Sequence, residues 1–596
     1  MASILAADNE VEELELREIP NSEDEMGSQE GLICRNGNTS VSSEVQQTEN
    51  DSVQFDDILK RIGEFGPWQR AIYILSCVFV LIPSGLHTAG VPFITGTPKF
   101  QCATPDVECE VNKCCKNCTN YAFIGPYAYN STVTEYNLIC DRAFIGANVQ
   151  AVFGAGMLLG SFIFGAVSDN FGRRSCMLLC SVLMTLFSLG ASFAKSLVLF
   201  AVLRFCTAAC LTGFFVAHYV YVLELVGPTY RTMASKCCGF FWAAGSGAIA
   251  LMGYYIRDWR TLLLVSSCPP ALFLLLWLII PESGRWLLVR GRVDEAGQIV
   301  RKFAKKNSIM SDYLNRALAK CSRGEILART RKIRHSPLDL FRTPRMRKRT
   351  LILWFCWLIV NLIYYGFLFY VSDLPGSPYL NMIIIYVVID TPGIFLCWVT
   401  VQKFGRRVPF CVFMIIGGVA CLLVLIVPKD EERFIRILAF IGRGFVTMSF
   451  SILYLYSSEL YPTSIRNLAV GTCSTIARLG FILASYIVML SQLPGLSVIF
   501  PMVVFGVLAL TAGLVILWLP ETLNSNMCQT LDETNRQNEY YGFIWMERRV
   551  NIPFSFSRLR SSGAAHVRVV SNEGVQVGED SDGDDGDTVD NAPLIT

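Results

Sequence analysis

Two short stretches, Asp169-Asn170-Phe171-Gly172-Arg173-Arg174 and Lys403-Phe404-Gly405-Arg406-Arg407, are each set between long apolar runs. Paired arginines in so short a gap mark the cytosolic side of a membrane, where Lys- and Arg-rich loops are retained. Outward from these stretches, the same landmarks recur in the same order. Glu224 and Arg231 stand seven residues apart in the first half of the chain, as do Glu459 and Arg466 in the second. A glycine, Gly245 or Gly480, follows each arginine by 14 residues, and Pro281-Glu282-Ser283 and Pro520-Glu521-Thr522 close the two series. The chain reads as one membrane unit written twice.

A spanning helix needs about 20 apolar residues, because its backbone must satisfy its own hydrogen bonds across the hydrocarbon. Twelve stretches qualify: 71–94, 144–167, 176–194, 197–222, 234–255 and 261–280, then 350–371, 380–401, 408–427, 434–457, 468–491 and 497–519. Between the two sets, residues 281–349 carry 19 Lys or Arg against 6 Asp or Glu, which places that linker and both termini in the cytosol. The expected fold is an all-α membrane protein with twelve transmembrane helices in two six-helix pseudo-repeats. The bundles are 71–280 and 350–519, flanked by polar, disordered cytosolic tails at 1–60 and 525–596, the second acidic. Parallel repeats of this kind enclose a cavity near the bilayer midplane that rocking of the halves exposes to either side.

Composition agrees. Of 596 residues, 52% are hydrophobic and 17% charged, with a mean hydropathy of +0.42, against about 25% charged in soluble domains. A net charge of +2 gives no basic surface for nucleic acid. Four scattered histidines and no paired catalytic or metal-ligating motif leave no residues for an enzyme, a metal or a cofactor. Asp169, Arg173, Arg174, Glu224, Arg231, Arg406, Arg407, Glu459 and Arg466 are the expected gating charges. The arginines at helix ends would pair with Glu224, Glu282, Glu459 and Glu521 when the cavity is open outward and release them when it closes.

Residues 95–143 face outward and hold Cys102, Cys109, Cys114, Cys115, Cys118 and Cys140, six of the 22 cysteines. Six cysteines allow 15 pairings, so a disulfide-stapled loop is expected with its connectivity open. Asn117-Cys118-Thr119 and Asn130-Ser131-Thr132 fit glycosylation acceptors in the same loop.

Over about residues 55–525 these features resemble the major facilitator superfamily and, within it, the organic cation, anion and zwitterion transporter family. The most specific element is Ser458-Glu459-Leu460-Tyr461-Pro462-Thr463-Ser464-Ile465-Arg466-Asn467, which is similar to that family's signature after span 10. Asn137-Leu138-Ile139-Cys140-Asp141-Arg142 before span 2 and the large first outer loop fit as well. Leu519-Pro520-Glu521-Thr522-Leu523-Asn524-Ser525, with Ser372-Asp373-Leu374, looks most like the carnitine and zwitterion-type branch. The pattern departs at Gln402, where the loop motif usually has an acid, and at Asn170, which replaces a base. The resemblance implies a transporter of small organic ions working by alternating access.

Few residues speak about cargo. Arg478 lies inside span 11, where a charge costs about 2.5–3.5 kcal/mol on insertion scales and must face a cavity or a partner. A guanidinium grips a carboxylate through two parallel hydrogen bonds, and the resemblance implies arginine here in anion and carnitine-type members, aspartate in cation transporters. Asp390 in span 8, before Pro392, is the acid expected across the cavity; Ile394 stands where many anion transporters have lysine. Tyr365 and Tyr454 are the aromatic faces expected to hold an organic ammonium by cation-π attraction. Arg204, Arg443, His87 and His218 read as buried structural groups. Zwitterions such as carnitine-like betaines are therefore the expected cargo, with organic cations or anions as alternatives, and a non-transporting receptor on the same fold as an alternative of another class. Span 1 carries no carboxylate for proton coupling, leaving a coupling ion such as sodium open. The expected location is the plasma membrane. Asp590-x-x-x-Leu594-Ile595 matches the acidic dileucine pattern of endosomal and lysosomal sorting, with sorting adaptors as partners through the C-terminal tail. The amphipathic stretch Val293 to Lys305 is expected to lay a basic face on anionic lipid.

Overall fold

The computed structural model describes residues 55–523 apart from 105–110, 116–117, 119, 125–128, 307–316, 319–320, 322–336, 429, 463–464 and 494–495. Cys109, Asn117, the sorting pattern at Asp590 and nearly all of both tails therefore lie outside the described residues. Among the described residues, eleven helices are long and apolar enough to cross a membrane. Spans 1–6 are Pro67–Thr95, Cys140–Phe171, Arg173–Ser192, Leu197–Leu225, Pro228–Tyr255 and Trp259–Leu276. Spans 7, 8, 10, 11 and 12 are Pro344–Tyr370, Pro378–Phe404, Glu432–Leu460, Leu468–Leu490 and Phe500–Trp518. Span 9 is the shorter Arg407–Leu423, whose 17 residues rise about 25 Å. The twelve helices and their order match the sequence expectation.

Helix starts follow local chemistry. Proline occupies the first turn of spans 1, 5, 7, 8 and 12, where its missing N–H costs nothing. Side chains cap others: Ser196 accepts from the Leu199 amide, Asp258 from Thr261, and Thr343 from Met346. Span 6 is broken at Ser267-Cys268-Pro269-Pro270. Span 8 contains a π-helical segment, Ile384–Asp390, just before Pro392, whose ring cannot continue a regular i−4 ladder.

The repeated landmarks occupy equivalent places. A Cβ on Gly245 would lie 2.3 Å from the Ile82 carbonyl in span 1, and one on Gly480 would lie 2.5 Å from the Leu358 carbonyl in span 7. The equivalent glycines thus let span 5 touch span 1 and span 11 touch span 7 at backbone distance. Gly172 (φ 101°, ψ 157°) and Gly405 (φ 85°, ψ −160°) make the cytosolic turns in a region that essentially only glycine adopts. After each, a glutamate from the far end of the same half closes the next helix. Glu282 accepts from the Arg173 and Arg174 amides at 2.9 and 3.1 Å, and Glu521 accepts from the Arg406 and Arg407 amides at 2.9 and 3.0 Å. A carboxylate at a helix N-terminus satisfies orphan donors and complements the dipole.

One expectation for the flanks needs correction. Residues 55–60, assigned to a disordered tail, belong to helix Phe55–Ile62, whose Phe55, Ile58, Leu59 and Ile62 are buried. The helix Val293–Lys306 turns its apolar stripe, Ala296, Val300 and Phe303, into the core, so protein takes that face and the helix docks on the bundle. In the outer loop, β1 (Phe100–Cys102) pairs antiparallel with β2 (Tyr121–Phe123). Disulfides join Cys102 to Cys118 and Cys114 to Cys140, and Cys115 is also disulfide-bonded.

Gly405→Ala should lower the thermal unfolding midpoint of the detergent-purified protein. The backbone alone costs about 1–3 kcal/mol, and the new Cβ would stand 2.6 Å from the Glu521 carboxyl. An unchanged midpoint would contradict this account of the turn.

Candidate functional site

At the cytosolic ends, the expected gating charges form two matching clusters. Arg173 reaches Glu224 through Nε and Nη2 at 3.1 and 3.0 Å, and Arg406 reaches Glu459 the same way at 2.8 and 2.7 Å. Such bidentate pairs are strong and geometrically specific. Asp169 adds a looser contact to Arg173 at 3.2 Å from a mostly exposed position. Arg174 packs its guanidinium 3.9 Å from the Trp277 ring and donates to the Trp277 carbonyl. Arg407 is buried. Arg231 is not held by Glu224, seven residues before it; it grips Asp56 of helix Phe55–Ile62 at 2.9 and 2.6 Å. Burial is the largest single influence on Asp56 and works upward, yet the hydrogen bond and charge of Arg231, with Arg285 and Lys60, together hold its carboxyl below the usual range. In the second half, Arg466 feels the charge of Glu459.

These pairs bear on the gating expectation by their placement. Each joins residues of one half only, and all are formed while the outer ends of the halves are in contact. In this conformation they brace each half at the ends of its helices.

Contacts that cross between the halves lie elsewhere. On the outer side Asn112 donates to Asp373 at 3.1 Å, Tyr129 shares a hydrogen bond with Ser372 at 3.2 Å, and Gln492 donates to Thr97 at 3.2 Å. Phe93 stacks on Tyr379 with centroids 5.1 Å apart. Asp373 also borders a narrow cavity of about 40 Å³ with Gln150, Ser485 and Gln492. Burial pushes the Asp373 carboxyl up to about 7, against the pull of Lys99 and the Asn112 amide.

Nearer the midplane, the intramembrane charges sort themselves. The π segment of span 8 presents Asp390, 3% exposed, to span 10. There it accepts from Arg443 Nη2 at 3.2 Å, while Arg443 Nη1 donates to Thr447 at 2.6 Å. The Arg443 guanidinium lies 3.6 Å from the Tyr364 ring centroid and 5.8 Å from that of Tyr386. Asp390 is thus engaged within its own half and is not the free acid facing Arg478 that the sequence suggests. Charge demands this: Arg443 is 1% exposed, and a buried cation needs a counter-ion close at hand.

Arg478 sits within electrostatic reach of Tyr454, is partly exposed, and makes no ion pair among the described residues. Tyr454 packs edge-on against Trp357 at 4.4 Å and Phe450 at 5.2 Å. Tyr365 meets Phe481 at 4.7 Å and Tyr364 at 5.1 Å. From the first half, Tyr219 of span 4 reaches Tyr454. Arg478, Tyr454 and Tyr365 are therefore neighbours, and Tyr364, packed on both Tyr365 and the Arg443 guanidinium, links them to the Asp390–Arg443 pair.

One residue here escapes the sequence reading. Lys236 of span 5 extends its ammonium to Ser451 of span 10, donating to Oγ at 2.6 Å and to the carbonyl at 3.1 Å. The signal was available, as a charge inside an apolar run. Lys236 lies within the apolar stretch 234–255, two turns into a helix that begins at Pro228.

Residues 120–533 match the model of the "Sugar (and other) transporter" family. The organic cation transporter protein of Drosophila melanogaster is 33% identical over 80% of this chain and 94% of its own length. The human organic cation/carnitine transporter 2 is 30% identical over 81% and 94%, and human solute carrier family 22 member 16 is 31% identical over 81% and 93%. The chain belongs to the organic cation, anion and zwitterion transporter family of the major facilitator superfamily. It is a multi-pass membrane transporter of small organic solutes and not an enzyme. The fold is that of the xylose transporter XylE from E. coli in its inward-open form, at TM-score 0.57 and 18% identity over 78% of this chain and 99% of that one.

Because burial raises the Asp373 carboxyl to about 7, its proton favours the closed outer face. That gain is complete below the ordinary carboxylate value of about 4 and is lost as pH rises through about 7. A Gln492→Cys reporter should therefore be labelled by an impermeant maleimide faster at pH 8 than at pH 6, with the difference abolished in Asp373→Asn. Equal rates at both pH values would show that Asp373 does not control closure.

Proposed function

We propose that the protein carries small organic ions bearing a carboxylate, zwitterions such as carnitine-like betaines foremost, by alternating access across the plasma membrane. The observation that carries this reading is Arg478. It is a permanent cation in a membrane-spanning helix, beside Tyr454 and without an acid of its own among the described residues. A carboxylate satisfies it through a bidentate contact that water or a hydroxyl cannot equal. The ammonium of a zwitterion then has Tyr454, Trp357 and Tyr365 as aromatic faces, each worth about 0.5–2 kcal/mol. Relatives named for organic cations and for carnitine support a cargo with a cationic end. Arg173, Arg174, Arg231, Arg406, Arg407 and Arg466, with Asp169, Glu224 and Glu459, serve this cycle as braces of the two halves. Asn130 is exposed and is the proposed glycan acceptor among the described residues.

A second reading, organic anions as cargo, is favoured by one specific observation. With Asp390 neutralised by Arg443, Lys236 and Arg478 leave the space between the halves with more positive charge than the sequence indicates.

Radiolabelled uptake into expressing cells of carnitine, glutarate and tetraethylammonium separates these readings. Carnitine uptake above background, with glutarate weaker and tetraethylammonium absent, is the expected profile. Arg478→Asp should lower carnitine uptake about tenfold or more at equal surface abundance. A wild type that prefers tetraethylammonium would sink the arginine argument, and binding without uptake would favour a receptor.

A further inference from the structure

Lys236 is the intramembrane charge that neither the gating clusters nor the Asp390–Arg443 pair accounts for. It belongs to span 5 of the first half, and its ammonium is held by two neutral oxygens of span 10 in the second. Among the described residues no carboxylate pairs with it; Cys397 of span 8 is its other electrostatic neighbour. An ammonium taken out of water and given only a hydroxyl and a carbonyl is under-compensated, since a neutral acceptor offsets far less of the desolvation cost than an anion does.

Position gives the charge a use. Ser451 and Tyr454 are three residues apart on span 10 and so share a face about one turn apart. Lys236 therefore ends one helical turn from Tyr454, and Arg478 acts on the same tyrosine from span 11. Tyr219, hydrogen-bonded to Ser235 and within electrostatic reach of Tyr454, adds a further first-half side chain nearby. Two cations, one from each half, thus flank one aromatic cluster.

We infer that Lys236 is a substrate-binding residue, parked on Ser451 when the site is empty and transferred to an anionic group of the cargo when it is filled. The inference rests on the carboxylate reading of Arg478 and deepens it. A cargo carboxylate bridges Arg478 of the second half and Lys236 of the first, exchanging a neutral partner of the ammonium for a charged one. The exchange replaces a direct bond between the halves with one that passes through the cargo, so a filled site holds the halves together only while an anion is present. A dianion, which offers a group to each cation, gains more from the arrangement than a zwitterion. Lys236 thereby sets the balance between these two cargo classes.

Kinetics of carnitine and glutarate uptake in Lys236→Gln, Lys236→Arg and Ser451→Ala, each normalised to surface abundance, test this. Lys236→Gln should raise KM about tenfold or more, more for glutarate than for carnitine, while Lys236→Arg stays within about threefold of wild type. Ser451→Ala removes the parking place without touching the charge, so it should leave KM unchanged or lower it. If Lys236 were only a tether between helices, Lys236→Gln and Ser451→Ala would lose uptake in parallel with KM unaltered, and the inference would be overturned. Should Lys236→Gln fail to reach the surface, Ser451→Ala decides by its maximal uptake: kept, with KM unchanged or lower, it supports the inference; lost, with KM unaltered, it overturns it. Wild type that takes up neither carboxylate would end the Arg478 reading together with this one. Normal carboxylate uptake with KM unmoved in Lys236→Gln would end this one alone.

Discussion

A charge inside hydrocarbon must be answered by another charge, by a π face or by water, and much of this molecule is arranged around that demand. Asp390 and Arg443 answer one another, with Tyr364 stacked on the guanidinium and Thr447 taking its second nitrogen. Removing either partner leaves an uncompensated ion at a cost of about 3–5 kcal/mol, which fixes span 8 against span 10. The π segment and Pro392 let span 8 bring Asp390 to that position. Arg204, buried in span 4, instead lies 4.4 Å from the Phe153 ring. Arg478 and Lys236, which no carboxylate answers among the described residues, are the charges we propose for a solute.

The same accounting separates parts that hold from parts that move. The bidentate pairs Arg173–Glu224 and Arg406–Glu459, with Glu282 and Glu521 closing the turns at Gly172 and Gly405, each link distant segments of one half. Each half is thereby braced at its cytosolic end. Bonds between the halves are of a different kind: single hydrogen bonds such as Asn112 to Asp373 and Tyr129 to Ser372, aromatic contact between Phe93 and Tyr379, and the neutral contact of Lys236 with Ser451. Net contributions of about 1 kcal/mol apiece suit an interface that must break in every cycle, whereas strong ion pairs across it would trap one state.

Much of the fold is legible in the residues. Twelve apolar runs, the bias of 19 basic to 6 acidic residues in the linker, and the duplicated arginine, glutamate and glycine landmarks give helix number, orientation and the pseudo-repeat. Hydropathy and charge act locally on each segment, so their signal survives without knowing what packs on what. The glycines at Gly245 and Gly480 are visible as landmarks; their reason, backbone contact with spans 1 and 7, needs the packed helices. Arg478 is equally legible as a charge in the wrong solvent.

Partnership is not legible in this way. Asp390 could have served Arg478 or Arg443 as far as spacing goes, and only the rotation of span 8 through its π segment chose Arg443. Arg231 has Glu224 seven residues away and yet binds Asp56, because helix Phe55–Ile62 buries its apolar face beneath the bundle. Lys236 is visible as a charge in the run 234–255, but its partner, Ser451 of span 10, is not. Sequence by itself determined which segments are apolar enough to lie in the membrane and which charges are carried with them, since transfer free energy belongs to a segment. Tertiary structure decided which of those charges neutralise each other and which are left without a counter-ion. Pairing in a low-dielectric interior turns on a few ångströms, and that distance is set by helices far apart in the chain.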